Sequence, residues 1–507
     1  MLVAKMSNII VRASKIALIT LSICVIVFLT SRYFSPNADY ANSSLVWRMI
    51  MQNGYQALFD WRPTPDSWYF TVYPLHFLLF YILGNDGIMP LTIATAMYTV
   101  VLTFTTANIV KKCTDSDVYW AITVIVLTSM PEIMYLAGFV GHPFAHNSTN
   151  AFGMCMLALM AYNISKRSLL ITCFVGLTLI FTNASDMWIS PTYFLPIILS
   201  ELYMALKRRS GYAHVAILTV SLVLSVTHVV SILMGFPIQK FNIVPVKKMI
   251  ENVIIAINLV GETLNILIVP NSYAFYASFF ITASIATWAF VVTFKKGGLQ
   301  RYIGIATYMS LMGIVSSFII SNVSLPPGPP RFFVNVIPAF AVLVLLAAFL
   351  AVRSAWVFKL TIALLVITSI NSYKGPVDYK NRYVVEILNH IDFLKSHDLR
   401  YGYGDFWKMS QTVNLLSEGD ITVIPLHMEN NTVFHDKYVR VQTFKSWYTD
   451  EFRSKTPTRQ FIAITKGHEC TDVGECVTNA QKQVGKADEI LNYNGYTFLV
   501  YNRRITF

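Results

Sequence analysis

Carboxylates and arginines gather in one stretch near the N-terminus of this 507-residue chain. Asp39, Asp60 and Asp66 stand there with Arg48 and Arg62, in SPNADYANSSLVWRMIMQNGYQALFDWRPTPDSWYF. A carboxylate with the right reach and proton affinity can act as a general base on a hydroxyl. One Asp would more simply solvate a loop, but two that bracket a compact, aromatic-rich loop favour chemistry. A second stretch, PEIMYLAGFVGHPFAHNSTN, sets His142 and His146 four residues apart. Pro143 between them weakens a shared helical face, and two histidines without a third ligand are weak evidence for zinc. His146 reads instead as a hydrogen-bonding group at a helix terminus. A third stretch, TNASDMWISP, places Asp186 beside Trp188. A carboxylate and an indole together suit a sugar, although Trp is also an ordinary anchor at a membrane interface. PPGPPR (326–331) stiffens a turn and presents Arg331. Arginine is the usual partner of a phosphate, and it also snorkels to headgroups. Lys240, Lys247 and Lys248 could hold a phosphate or touch anionic lipid.

The elements that must position these residues are apolar. Hydrophobic residues make up 55% of the chain and charged ones 13%, with a mean hydropathy of +0.52. A soluble chain carries about a quarter charged residues, so most of this surface faces lipid. The net charge of +12 does not point to nucleic acid, because the basic residues fall as short clusters between apolar runs. That is the bias of cytoplasmic loops. Lys111 and Lys112 follow the run 88–110, Lys166 and Arg167 follow 149–164, and Lys207, Arg208 and Arg209 follow 191–206. Lys295 and Lys296 follow 272–294, and Arg353 follows 332–351. The run 16–33, preceded by Lys5, Arg12 and Lys15, reads as an uncleaved first span with the N-terminus inside. Keeping every cluster on one side makes 68–84 a helix at the outer interface, since its apolar core is shorter than the roughly 20 residues of a span. The stretch 249–270, with Glu251 and Glu262, reads as a second interfacial helix. His228, within 212–234, reads as a packed residue.

The expected fold is mainly α, with about eleven transmembrane helices in residues 1–372 and a large first outer loop over 34–87. The run 354–370 is the last span. A small α/β domain over 373–507 follows on the outer side, built from strand-like ITVIPL (421–426), YVRVQTF (438–444), RQFIAIT (459–465) and YTFLVYN (496–502) around a helix at 383–397. Cys24, Cys155 and Cys173 lie in spans and Cys113 lies by a cytoplasmic loop. Cys470 and Cys476 fall in the terminal domain, where an oxidising compartment favours a disulfide over two surface thiols. No Walker loop, dinucleotide fingerprint or H-E-x-x-H motif is present. With only short cytoplasmic loops, an outer-face reaction on a sugar would need a lipid-linked donor.

This layout resembles the C-type (GT-C) membrane glycosyltransferases, most closely the bacterial and phage serotype-converting O-antigen glucosyltransferases. The residues that carry the likeness are Asp39, then GYQALFDW, then Asp66-Ser67-Trp68, and Pro143 to Ser148. Asp186, Arg331 and YGYGDFWKMSQTVNLLSEG (401–419) complete them. The resemblance implies an inverting transfer from a polyprenyl-phosphate sugar to an acceptor hydroxyl. It implies Asp39 as base, Asp66 as a second carboxylate and Arg331 as phosphate partner. Arg62, Trp68, His142, His146 and Asp186 are expected to bind substrate, as are Lys247, Tyr403 and Trp407. No cofactor is required, although a divalent cation such as Mg or Mn is compatible with the family. The implied partners are an undecaprenyl-phosphate-linked sugar, a lipopolysaccharide O-antigen acceptor, membrane lipid, a flippase and a donor-synthesising transferase. The implied location is the bacterial inner membrane, with the C-terminal domain periplasmic. A lipid-linked-glycan flippase or other transporter would need charged residues in mid-span and internal repeats. A polymerase or ligase would usually lack a terminal domain of this size.

Overall fold

The computed structural model describes residues 2–34, 37–64, 66–136, 140–208, 211–236, 238, 242–267, 269, 271–321, 330–351, 362–363, 366–367, 369–373, 379–429, 431, 433–434, 441–467 and 469–507. Helices dominate as far as Ala351. Among the described residues, five are long and apolar enough to cross a membrane: Val11–Tyr33, Ile88–Thr114, Ser272–Lys296, Gly298–Ile320 and Arg331–Ala351. Shorter apolar helices span Tyr73–Leu83, Asp117–Thr128, Leu169–Ser185 and Tyr212–Val226. Asn147–Lys166 and Leu195–Leu206 are helices too. In lipid a helix satisfies every backbone N–H and C=O internally. The ends follow local chemistry. Ser116 and Ser168 cap the helices they precede, and paired lysines close the last turns of Ile88–Thr114 and Ser272–Lys296, where cations oppose the helix dipole.

The 212–234 run, expected as one span, is broken. His228 takes a left-handed conformation (φ 56°) between Tyr212–Val226 and the helix Val229–Met234. The two stretches expected to lie at an interface are a helix of eleven residues, Tyr73–Leu83, and one over Val246–Thr263. The first leaves Leu78, Tyr81 and Ile82 exposed. The second turns Asn252, Ala256 and Leu259 inward. It approaches the next helix so closely at Gly261 that a Cβ there would overlap the Phe275 carbonyl. Lys240, Arg209, Arg353, residues 326–329 and most of the expected last span, 354–370, lie outside the described residues.

Beyond Tyr379 the chain forms an α/β unit. Its central sheet has the order β3-β2-β7-β9-β8, with β2 Tyr401–Asp405, β3 Thr422–Leu426, β7 Gln460–Thr465, β8 Glu489–Tyr493 and β9 Tyr496–Tyr501. β2 runs parallel to both β3 and β7, while β7–β9 and β9–β8 are antiparallel. Cys470 and Cys476 are joined by a disulfide. A small antiparallel ribbon pairs β4 (Met428–Glu429) with β5 (Val433–Phe434). Of the strand expected at 438–444, residues 441–444 are described and only Thr443–Phe444 is strand (β6), while 435–440 lie outside the described residues. β6 does not join the main sheet. It pairs with β1, Trp61–Arg62, of the N-terminal loop.

That pairing docks the α/β unit on the loop. One apolar core runs through both, taking Tyr40, Trp61 and Trp68 from the loop and Tyr403, Phe444 and Trp447 from the unit. Polar contacts fix the register. Asp60 accepts the Ser446 amide at 3.0 Å and also the Ser446 hydroxyl. Arg48 forks onto Asp86 at 2.6 and 2.9 Å and donates to the Asn414 carbonyl at 2.5 Å.

Candidate active site

A cavity of about 720 Å³ opens where the loop, the helices and the α/β unit meet. Asp39, Asp66, Trp68, Arg331 and Trp407 line it. Most of its remaining wall is apolar, including Phe144, Trp188, Phe332 and Ile320. The size lies within the range of small-molecule sites.

Asp39 sits in a short 3₁₀ turn, Ala38–Ala41, whose preceding Asn37 accepts the Asp39 amide. This fixes the backbone, and the carboxylate is held from three sides. Gln442 donates its Nε2 to Oδ1 at 2.8 Å. Arg331 Nη1 lies 3.5 Å from Oδ2, and His142 Nε2 lies 3.8 Å from the same oxygen. Burial, with Arg331 and His146 adding to it, holds the His142 ring well below the usual imidazole range. Its Nδ1 accepts the Phe144 amide at 3.0 Å. Its Nε2 lies 3.4 Å from Asn37 Nδ2, on the side chain that also accepts the Asp39 amide.

Asp66 is placed by the end of helix Leu169–Ser185. The Trp68 amide donates to the Ser185 carbonyl, the Phe70 amide to Ser185 Oγ, and Ser67 Oγ to the Ala184 carbonyl. These bonds lay the segment after Asp66 over the helix terminus and bring Asp66 beside Asp186. Asp186 is fully buried. It accepts His146 Nδ1 at 2.7 Å, the Trp188 amide at 3.0 Å and the Thr149 hydroxyl. Burial pushes the Asp66 carboxyl up to about 7, Asp186 adds to the rise, and His146 and Arg331 oppose it. Burial disfavours the His146 imidazolium, but Asp186 and Asp66 outweigh it and raise that group. One oxygen or nitrogen from each of Asp66, His146 and Asp186 lies within 4.8 Å of the other two. Two carboxylates and an imidazole are a donor set a divalent cation accepts.

The histidine pair does not act as a pair. Residues 140–146 form turns rather than a helix, so His142 faces Asp39 and His146 faces Asp186, just behind the cavity wall. Three expected binding residues lie elsewhere. Arg62 is exposed, with its backbone committed to β1. Lys247 is exposed in the first turn of Val246–Thr263. Tyr403 is buried because β2 is the inner strand between β3 and β7, and its ring packs on Tyr401 and Phe507. Two residues enter that sequence reasoning did not place there. His228, at the helix break, lines the cavity instead of packing within a span. Gln442 lines it from the α/β unit, in a left-handed conformation (φ 58°), with its own amide donating to the Arg62 carbonyl at 2.6 Å.

Fold and site together define a polytopic helical membrane protein whose cavity is closed by a C-terminal α/β unit. No protein-family model matches the chain, and no curated protein matches its sequence. Among solved structures, its fold is similar to that of ArnT from Cupriavidus metallidurans bound to undecaprenyl phosphate. The TM-score is 0.51 at 13% identity, covering 96% of this chain and 98% of that one.

Proposed function

We propose that the chain is a glycosyltransferase that moves one sugar from undecaprenyl phosphate to a hydroxyl of a surface glycan, at the periplasmic face of the bacterial inner membrane. The observation that carries this reading is the Asp39 carboxylate, held by Gln442 and Arg331 in a largely apolar cavity. The fold likeness to a structure bound to undecaprenyl phosphate, over nearly all of both chains, supports a lipid-linked donor.

Asp39 takes the proton of the acceptor hydroxyl. The hydroxyl oxygen then bonds to the anomeric carbon while the bond from that carbon to the phosphate oxygen breaks. Attack opposite the leaving group inverts the anomeric centre. Arg331 touches Asp39 through Nη1 alone, and a guanidinium has five N–H donors, so it retains donors for the departing phosphate. Glucose is the sugar and O-antigen the acceptor in this reading, with a flippase and a donor-synthesising enzyme supplying the lipid-linked sugar. Asp39→Asn keeps the shape and removes the base. The expected loss in kcat is about 10²–10⁴-fold, measured with a polyprenyl-phosphate hexose and purified glycan. A rate within threefold of wild type excludes Asp39 as base. A wild-type protein that transfers no sugar from any such donor overturns the class.

A further inference from the structure

The α/β unit carries a second cavity, of about 280 Å³, which the transfer step does not use. It lies past the carboxyl ends of the three parallel strands. Asp405 ends β2, Leu426 ends β3 and Thr465 ends β7, and all three line it. The strand order accounts for the opening. From β2 the chain crosses to β3 on one side, and the next parallel strand, β7, lies on the other side of β2. Connections that leave in opposite directions do not cover the space between them, and open α/β sheets take ligands there.

The wall has a definite chemistry. Trp407 is 53% exposed and supplies a flat apolar face. Asp405, Lys408, Glu469 and Thr465 supply polar groups around it. Their positions are fixed before any ligand arrives. Asp405 accepts the Lys408 amide at 2.8 Å, and the Lys408 ammonium donates to the Lys466 carbonyl at 2.7 Å. Glu469 pairs with His427 at 3.0 Å and accepts the Met428 amide at 3.1 Å. An indole flanked by carboxylates and one ammonium suits a pyranose ring, whose C–H face stacks while its hydroxyls donate to the carboxylates. A phosphate would meet two carboxylates against one lysine, and an acyl chain would meet four polar groups.

Among the described residues, Trp407 alone lines both this cavity and the one that holds Asp39. The shared indole sets the two cavities side by side. We propose that the smaller cavity is a subsite for a neutral pyranose unit of the acceptor glycan, next to the unit that receives the transferred sugar. Its place in the reaction rests on the transferase reading, but its binding of a pyranose does not.

The test is saturation-transfer NMR on the full chain in nanodiscs, with no donor present. The probes are the methyl glycosides of glucose, galactose and rhamnose at millimolar concentration. Wild type should saturate at least one. Thr465→Trp, which fills the cavity, and Trp407→Ala, on an exposed side chain, should each reduce the signal about tenfold, while Trp407→Phe retains it. Melting profiles identify any variant that fails to fold. No saturation with any probe, or equal signals in wild type and in a folded Thr465→Trp, overturns the subsite. Transfer by wild type without such binding refutes the subsite alone. Binding without transfer from any polyprenyl-phosphate sugar refutes the transferase reading and leaves the subsite standing.

Discussion

Replacing Gln442 by glutamate should move the pH dependence of transfer and not merely slow it. Gln442 Nε2 sits 2.8 Å from Asp39 Oδ1, so the substitution turns a donor into a second carboxylate at contact distance. Two unit charges about 4 Å apart interact by about 4 kcal/mol at an effective dielectric of 20. At 1.36 kcal/mol per pH unit, the acid limb of kcat/KM should rise by about three pH units. Gln442→Leu removes the donor without adding charge. Loss of a hydrogen bond to a charged group, about 1.5–3 kcal/mol, should move the limb in the same direction by about one to two units. The main-chain anchors survive both changes, since the Gln442 amide still meets Arg62 and its carbonyl still accepts Gln411. Transfer is measured across about pH 5 to 9 in wild type, both variants and an Asp39→Asn background. A uniform fall in rate with the limb in place, or a shift below one unit for Gln442→Glu, refutes Asp39 as the titrating base held by this amide.

Other expectations follow from the same geometry. The Asp66 carboxyl is raised from 3.8 to about 7 and the His146 imidazole is raised above 6.5. Groups raised on folding stabilise fully below their unfolded values and lose that contribution as pH climbs through the folded ones. The melting temperature should therefore fall by a few degrees as pH climbs from about 4 to 7, the interval between the unfolded and folded values of Asp66, with His146 extending the fall above 6.5, and Asp66→Asn with His146→Asn should flatten the curve. An unchanged slope in that double variant refutes the assignment. Gly261→Ala should force the helices Val246–Thr263 and Ser272–Lys296 apart at Phe275 and cost about 1–3 kcal/mol, read as a lowered melting temperature, and a neutral substitution contradicts the close approach. Chelation should leave transfer intact, because the proposed step moves a proton and breaks one C–O bond without a metal. A rate lost to chelator and restored by Mg or Mn would assign a cation to Asp66, His146 and Asp186.

Much of the site was legible as residue types. Asp39, Asp66 and Arg331 stand out as charged residues on loops of an apolar chain, and Asp39 and Arg331 meet although 292 positions separate them. Chain pattern does not reveal partners. The four-residue spacing of His142 and His146 suggests one face, yet a turn around Pro143 sends them to different carboxylates. Tyr403 and Trp407 sit in one aromatic motif, but the first is locked in an inner strand and the second is exposed, a difference set by sheet order. Gln442 gave no signal. It is uncharged, follows no motif, and matters only because β6 pairs with β1 instead of joining the main sheet. His228 was visible as a polar residue in an apolar run, but the break it makes depends on a backbone angle that composition does not encode.

The bond between Gln442 and Asp39 joins positions 403 residues apart, and this bears on how the protein is made. Asp39 is synthesised 403 residues ahead of Gln442. While the helices insert, the carboxylate has no amide to hold it, and the cavity lacks the wall that Trp407 supplies. The chamber therefore exists only once β6 has found β1. A half-made chain therefore carries Asp39 without the amide that holds it and without one wall of the cavity around it.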